Sequence, residues 1–275
     1  MLIIVLTNII IITYFLLLLG VSHLTTLRSN NVSSNNSFFR GERQSPWYMV
    51  AFGMVSKFQR YPLPLFLESE THYMRMSEDK KEAKQHFASI KMSGLYDKEL
   101  KMFKVCSSLL SESNEIGRSR VFLPGWLENE SVFMHMEFKY LLGLLRAGLY
   151  EEFFSSIKTC FPCFLKPEVY GRSILENSSF ISSSAFPDKR NWGRGFVARL
   201  SGSTAEFIDM WLTMSLGYKP FSVNDKNELV FGLKPIISGE FFDKKGEFKA
   251  KLFSTTDLVY INKSKKKYIF AEHEY

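Results

Sequence analysis

The chain predicts a mainly α-helical fold that ends in a small β region, and three observations carry that prediction. Apolar residues recur at helical spacing through 78–92, 131–161 and 203–216. From Glu228 onward the pattern shortens to brief apolar runs separated by Lys- and Ser-containing turns, the pattern of strands. With 275 residues, 45% of them hydrophobic and 26 of them Phe, the chain can bury a sizeable core, as one large domain or a medium and a small one. A disordered chain does not carry that many Phe.

Taken in order, Glu78–Met92 alternates Lys, Glu and apolar residues and predicts a helix with a solvated face. Leu95–Leu110 is mixed, and Gly117-Arg118 marks a loop. Ser131–Ala147 is almost wholly apolar and predicts a helix buried on most sides. Gly148 ends it, and Tyr150–Phe161 follows so closely that the two helices should lie antiparallel. Ser203–Leu216 is a further helix, with Ser203 and Thr204 as cap candidates, Glu206 in its first turn and Gly217 closing it. Residues 229–233, 248–253 and 258–261 read as strands. No repeat of solenoid period is visible.

Residues 2–19 form an almost uncharged apolar run close to membrane-spanning length. It lacks a basic n-region and a small-residue cleavage site, so it reads as an anchor more than a signal peptide. Arg28, Arg40, Arg43 and Lys57 follow it and would place the rest of the chain in the cytoplasm. The competing reading makes residues 1–40 an artefact of where translation was taken to start. The division is then 1–27 for the apolar segment, 28–44 for a polar linker, 45–221 for the helical part with its site, and 222–275 for the β region. The linker holds the low-complexity run SNNVSSNNS, with N-x-S sequons at Asn31 and Asn35.

The net charge of +7 favours anionic ligands mildly, but the basic residues are scattered apart from Lys263–Lys267, and nucleic acid is not an expected partner. Cys160 and Cys163 have CxxC spacing, yet Cys106 is the only other cysteine and the pair follows a helix instead of opening one. Packed thiols are the expected state. No HExxH, paired CxxC or P-loop is present, so neither a metal nor a nucleotide cofactor is implied.

Three clusters break the apolar helical sequence with polar residues, Gly and aromatics: Gly125–His135 (GWLENESVFMH), Tyr170–Ala185 (YGRSILENSSFISSSA) and Gly193–Phe207 (GRGFVARLSGSTAEF). Buried polar groups need partners, and a hydroxyl-rich sugar and an oxyanion supply them. The clusters therefore read as the floor of a carbohydrate and phosphate site.

The run from about Tyr61 to the C-terminus, most clearly over Val121–Leu233, resembles the C-terminal third of the cellobiose phosphorylase-like glycoside phosphorylases, glycoside hydrolase family 94 and the related β-glucan phosphorylases. The resemblance implies part of an (α/α)6 toroid followed by short β-strands. It is carried by Glu128-Asn129 through His135 and by Leu200-Ser201-Gly202-Ser203, at a separation similar to the family's. It implies phosphate contacts from His135, Ser201, Gly202 and Ser203. Trp126, Glu128, Asn129, Arg172 and Glu176 lie in the same polar clusters and are the candidate sugar or phosphate contacts. No cofactor is implied beyond inorganic phosphate as co-substrate. The implied partners are a β-linked gluco-oligosaccharide and either a second copy or a complementing upstream fragment.

The residue chemistry agrees with those roles. Loop amides before a helix present N–H groups and the positive end of its dipole to an anion, Gly202 allows close approach, and a bound dianion favours protonated His135. Arg172 or Arg194 could add a charge-assisted hydrogen bond. Against these stand plainer readings: His135 as a satisfied core residue, Ser203-Thr204 as a helix cap only, and Arg172 with Glu176 as a pair across one helical turn.

Inverting phosphorolysis needs one carboxylic acid to protonate the leaving oxygen while phosphate takes the place of the base and its water. The resemblance implies an Asp well upstream of the histidine. Asp79 and Asp97 are the only aspartates before His135, and both sit in charged sequence read as helical. The expected acid is absent. Three functions follow: a truncated inverting glycoside phosphorylase that would release a sugar 1-phosphate, one half of a split phosphorylase, or a non-catalytic membrane-tethered sugar-binding protein.

Overall fold

In the computed structural model, residues 63–197, 202–264 and 268–269 are described. The readings made for residues 2–19 and for the linker lie outside them, as does Ser201. Among the described residues no helix is long and apolar enough to cross a membrane.

The fold mixes helices with several small sheets. Helix α1 (Leu67–Met76) and helix α2 (Lys80–Met92) come first. The carboxylate of Asp79 caps α2 by accepting from the Lys81 amide at 2.8 Å, which is why the helix begins two residues later than its periodicity alone suggests. A short antiparallel pair follows, β1 (Tyr96–Asp97) with β2 (Met102–Phe103). Loops and two 3-10 turns then cover 107–121.

The apolar stretch from Ser131 is divided. Val132–Phe133 form strand β3, and only Met134–Arg146 form helix α3. A β-branched residue and an aromatic found strand partners, β4 (Phe180–Ile181) and then β5 (Gly195–Phe196), and that pairing overrides local helical preference. One face of this antiparallel sheet carries the row Phe133, Phe180 and Phe196; the other carries Val132, Ile181 and Gly195.

Helix α3 is the central element. Phe138, Tyr140, Leu141, Leu142 and Leu144 are fully buried, and burying an apolar side chain of this size contributes about 1.5–3 kcal/mol. Gly143 lets α1 approach closely: a methyl there would lie 3.1 Å from Met74 Cβ. The helix ends in a Schellman motif, with Gly148 at φ +72, its amide on the Leu145 carbonyl and the Leu149 amide on the Leu144 carbonyl. Helix α4 (Tyr150–Cys160) packs back onto α3 after this turn. A single helical turn, α5 (Pro167–Tyr170), follows.

Helix α6 (Gly202–Leu216) also packs on α3 and is closed by Gly217 at φ +96. The cap roles read for Ser203 and Thr204 are not realised, since both lie inside the helix. Beyond it come the hairpin β6 (Phe221–Val223) with β7 (Leu229–Phe231), the hairpin β9 (Glu247–Leu252) with β10 (Thr256–Ile261), and β8 (Ile237–Ser238) paired with β11 (Tyr268–Ile269). The described residues from Pro64 onward form one compact unit. Its last hairpin is tied to α6 where Trp211 meets Phe248 and where the Tyr260 hydroxyl donates to the Ser215 carbonyl at 2.6 Å.

Candidate functional site

His135 stands on the first turn of α3, directly after β3, so sheet register and helix start together fix its position. Its imidazole packs against the first residue of α6. A methyl group on Gly202 would sit 2.5 Å from His135 Nδ1 and 2.7 Å from Cε1, so a side chain there would have to move the ring. The other ring nitrogen, Nε2, lies 3.6 Å from Glu206 Oε1, one turn along α6. Burial and Lys139 push the imidazole below its ordinary value, and Glu206 and Glu68 only partly oppose them. His135 is therefore neutral near pH 7 in the free protein.

Ser203, the next residue, is 1% exposed, and its hydroxyl has no hydrogen-bond partner among the described residues. Buried orphan hydroxyls are uncommon and are usually satisfied by water or a bound group. Thr204 is exposed and accepts from Asn177 Nδ2 at 3.5 Å, which closes the 171–179 loop onto the start of α6.

That loop is pinned from below by Tyr170, which is fully buried. Its hydroxyl donates to the Glu176 carbonyl at 2.7 Å and receives the Ser178 amide at 2.9 Å. Arg172 donates to Glu176 at 2.6 Å, the pairing read from the sequence, but on an irregular loop and not across a helical turn. Its Nε is buried without a partner among the described residues. The guanidinium of Arg194 lies on the same loop: a Cβ at Gly171 would be 3.0 Å from its Nη2.

The 125–130 loop contributes Trp126, Glu128 and Asn129 differently from one another. Gly125, Leu127 and Glu130 all adopt positive φ, and for the two non-glycine residues this conformation is uncommon and costs energy. Asn129 holds the turn: its backbone carbonyl receives the Gly125 amide at 2.8 Å, and its side chain donates to the Phe122 carbonyl at 2.7 Å. The nearly buried Lys104–Glu130 pair, 2.8 Å apart, and the Cys106 thiol, which accepts from the Glu130 amide, fasten the loop beneath. Glu128 is held by a bidentate contact from Arg118 at 2.6 and 3.0 Å. Trp126 stacks on Phe196 at 3.7 Å with 7° between the planes, extending the aromatic row of the sheet and leaving one fewer face for a sugar.

Neither candidate aspartate is an available acid. Asp79 caps α2. Asp97 is not in a helix: it lies in β1, 2% exposed, and accepts from the Glu99 and Leu100 amides at 3.0 Å and from the Ser184 amide at 2.6 Å and hydroxyl at 2.9 Å. The cysteines are free, with Cys160 buried at the end of α4 and Cys163 exposed.

The structure thus brings together His135, Gly202, Ser203 and Glu206, with Asn177 closing the loop of Arg172 and Glu176 against them. Glu206 and Asn177 lie within the polar clusters, which do not mark them as contacts, and Arg118 lies outside those clusters. They act through a neighbour on another element, which spacing along the chain does not reveal. Compared with models of known protein families and with curated proteins, the chain matches none.

Proposed function

We propose that this site holds inorganic phosphate for phosphorolysis of β-linked gluco-oligosaccharides, and that the catalytic acid comes from another polypeptide. The observation that carries the reading is the packing of His135 on Gly202 at the start of α6, followed by Ser203, whose buried hydroxyl has no partner among the described residues. A glycine at a helix start, a histidine and an orphan hydroxyl form a set of donors suited to an oxyanion.

In the reaction, a phosphate oxygen attacks the anomeric carbon from the face opposite the leaving sugar. The glycosidic C–O bond breaks, its oxygen takes the acid's proton, and a sugar 1-phosphate forms with inverted configuration. The residues of this chain would orient phosphate and exclude water. The acid would be the partner's contribution, because Asp79 and Asp97 are both engaged.

The outer face of α6 supports a partner. Ile208, Trp211 and Leu212 are 52%, 39% and 42% exposed on the helix whose first turn bears the site. On this reading, helices supplied by a partner would cover that rim. A closed polar surface there would have favoured the tethered sugar-binding alternative.

The test is calorimetric binding of inorganic phosphate, paired with an assay for glucose 1-phosphate release from β-glucan oligosaccharides, with His135→Ala as control. The expected result is phosphate binding lost in the variant, and no release by the chain alone. Release by the chain alone would show that a working acid lies within it, and absence of phosphate binding would end the reading.

A further inference from the structure

We propose that Glu206 is a positioning residue that sets the protonation of His135, so that an anion enters the site together with one proton from solvent. The inference rests on the phosphate reading above and adds its regulation by pH.

The geometry places the two imidazole nitrogens in different surroundings. Nε2 faces the Glu206 carboxylate at 3.6 Å, whereas Nδ1 lies on Gly202 at the start of α6. A neutral imidazole carries one N–H, and a nearby carboxylate favours the tautomer with that hydrogen on Nε2. On the phosphate reading, an anion held at the start of α6 would meet the Nδ1 lone pair, and a lone pair repels an anion. Protonation converts Nδ1 into a donor, and the ring then bridges the carboxylate and the anion.

The charged groups around the ring agree. Lys139 on its own helix opposes the imidazolium, while Glu206 from α6 and Glu68 from α1 favour it. Burial and Lys139 prevail in the free protein and hold the imidazole below its ordinary value, which a bound dianion would oppose. Because protons and anion favour the same state, each strengthens binding of the other. The carboxylate has a double effect: it raises proton affinity at His135, and it repels the anion directly. The proposal asserts that the first outweighs the second near neutral pH.

The experiment follows the His135 Cε1 proton by NMR through a pH titration, with and without inorganic phosphate, in the wild-type chain, Glu206→Gln and Glu206→Asp. His135→Ala identifies the resonance. Calorimetry in two buffers of different ionisation enthalpy counts the protons taken up. Expected are a wild-type midpoint that rises with phosphate, a midpoint lower by about one unit in Glu206→Gln, and partial recovery in Glu206→Asp. Phosphate affinity of Glu206→Gln should fall about tenfold at pH 7.5 and recover only as pH drops below the variant's own midpoint. If Glu206→Gln leaves the midpoint unchanged while phosphate binds, the role of Glu206 is overturned and the phosphate reading stands. Should Glu206→Gln bind phosphate more tightly at every pH, the carboxylate is only a repelling charge and the proposal fails. A midpoint that responds to Glu206 but never to phosphate overturns both readings.

Discussion

His135 Nδ1 and Gly202 are packed so closely that a methyl group on the glycine would lie 2.5 Å from the nitrogen. Two segments far apart in the chain meet at this point, and no other residue type can replace the glycine without moving the ring.

Gly202→Ala therefore should displace the His135 imidazole while leaving the fold largely intact, since alanine suits a helix better than glycine. Phosphate affinity should fall at least about tenfold, with thermal stability changed by no more than about 1 kcal/mol. Parallel calorimetry and thermal unfolding check this. Unchanged affinity would show that the ring position is immaterial to the site.

Glu137 lies wholly inside the core. One carboxylate oxygen accepts from the Phe103 amide at 2.8 Å, and the buried Cys160 thiol lies beside the carboxyl. Burial pushes its carboxyl up to about 8 from an ordinary 4.5. A folded-state value above the unfolded one means the folded chain binds the proton more tightly. That contribution is complete below about pH 4.5 and is lost as pH rises through 8. Glu137→Gln should abolish this decline and be the more stable protein at pH 8, by an amount on the order of 3 kcal/mol. Denaturant unfolding of both proteins at pH 5 and pH 8 would show it, and parallel pH profiles would refute it.

Tyr170→Phe removes the hydroxyl that joins Glu176 to Ser178. The Ser178 amide is then left without its partner, at a cost of about 1–3 kcal/mol. The effect should be local to the loop bearing Arg172 and Glu176. Hydrogen exchange at the Ser178 amide should accelerate markedly while amides of α3 hold their protection.

Asp97→Ala strips the β1–β2 turn of its acceptor and releases Ser184, on the segment that carries Phe186 against Trp126. A loss of about 2–4 kcal/mol is expected from several charge-assisted hydrogen bonds broken together. Asp97→Asn should recover only part of it, because an amide N–H would face the Ser184 amide. A change below about 0.5 kcal/mol in either variant would contradict the anchoring role.

Elements whose pattern depends on near neighbours were legible in the sequence. α2, α4, α6 and the strands at 229–231, 247–252 and 256–261 follow from periodicity and from Gly148 and Gly217, whereas β6 and the strand pairing do not. The misread segments depend on remote partners. Val132 and Phe133 look helical until Phe180 and Ile181 are available to pair with them. Asp97 looks like part of a charged helix until Ser184 comes to meet it. At the site, the family resemblance implies His135 and Gly202 as companions, but the Glu206 contact arises from helix packing that no motif encodes. The occupation of Glu128 by Arg118 was equally hidden, because both residues lie in loops.

The direct passage from Phe133 in β3 to His135 in α3 makes strand register and helix phase a single variable. One residue inserted or removed between them would turn His135 by about 100° around the helix axis, away from Gly202. The loops of 107–123 face no such constraint. Length variation among descendants of this chain should therefore accumulate there and be purged between Ser131 and Met134, a signature that a library of single-residue insertions would expose directly.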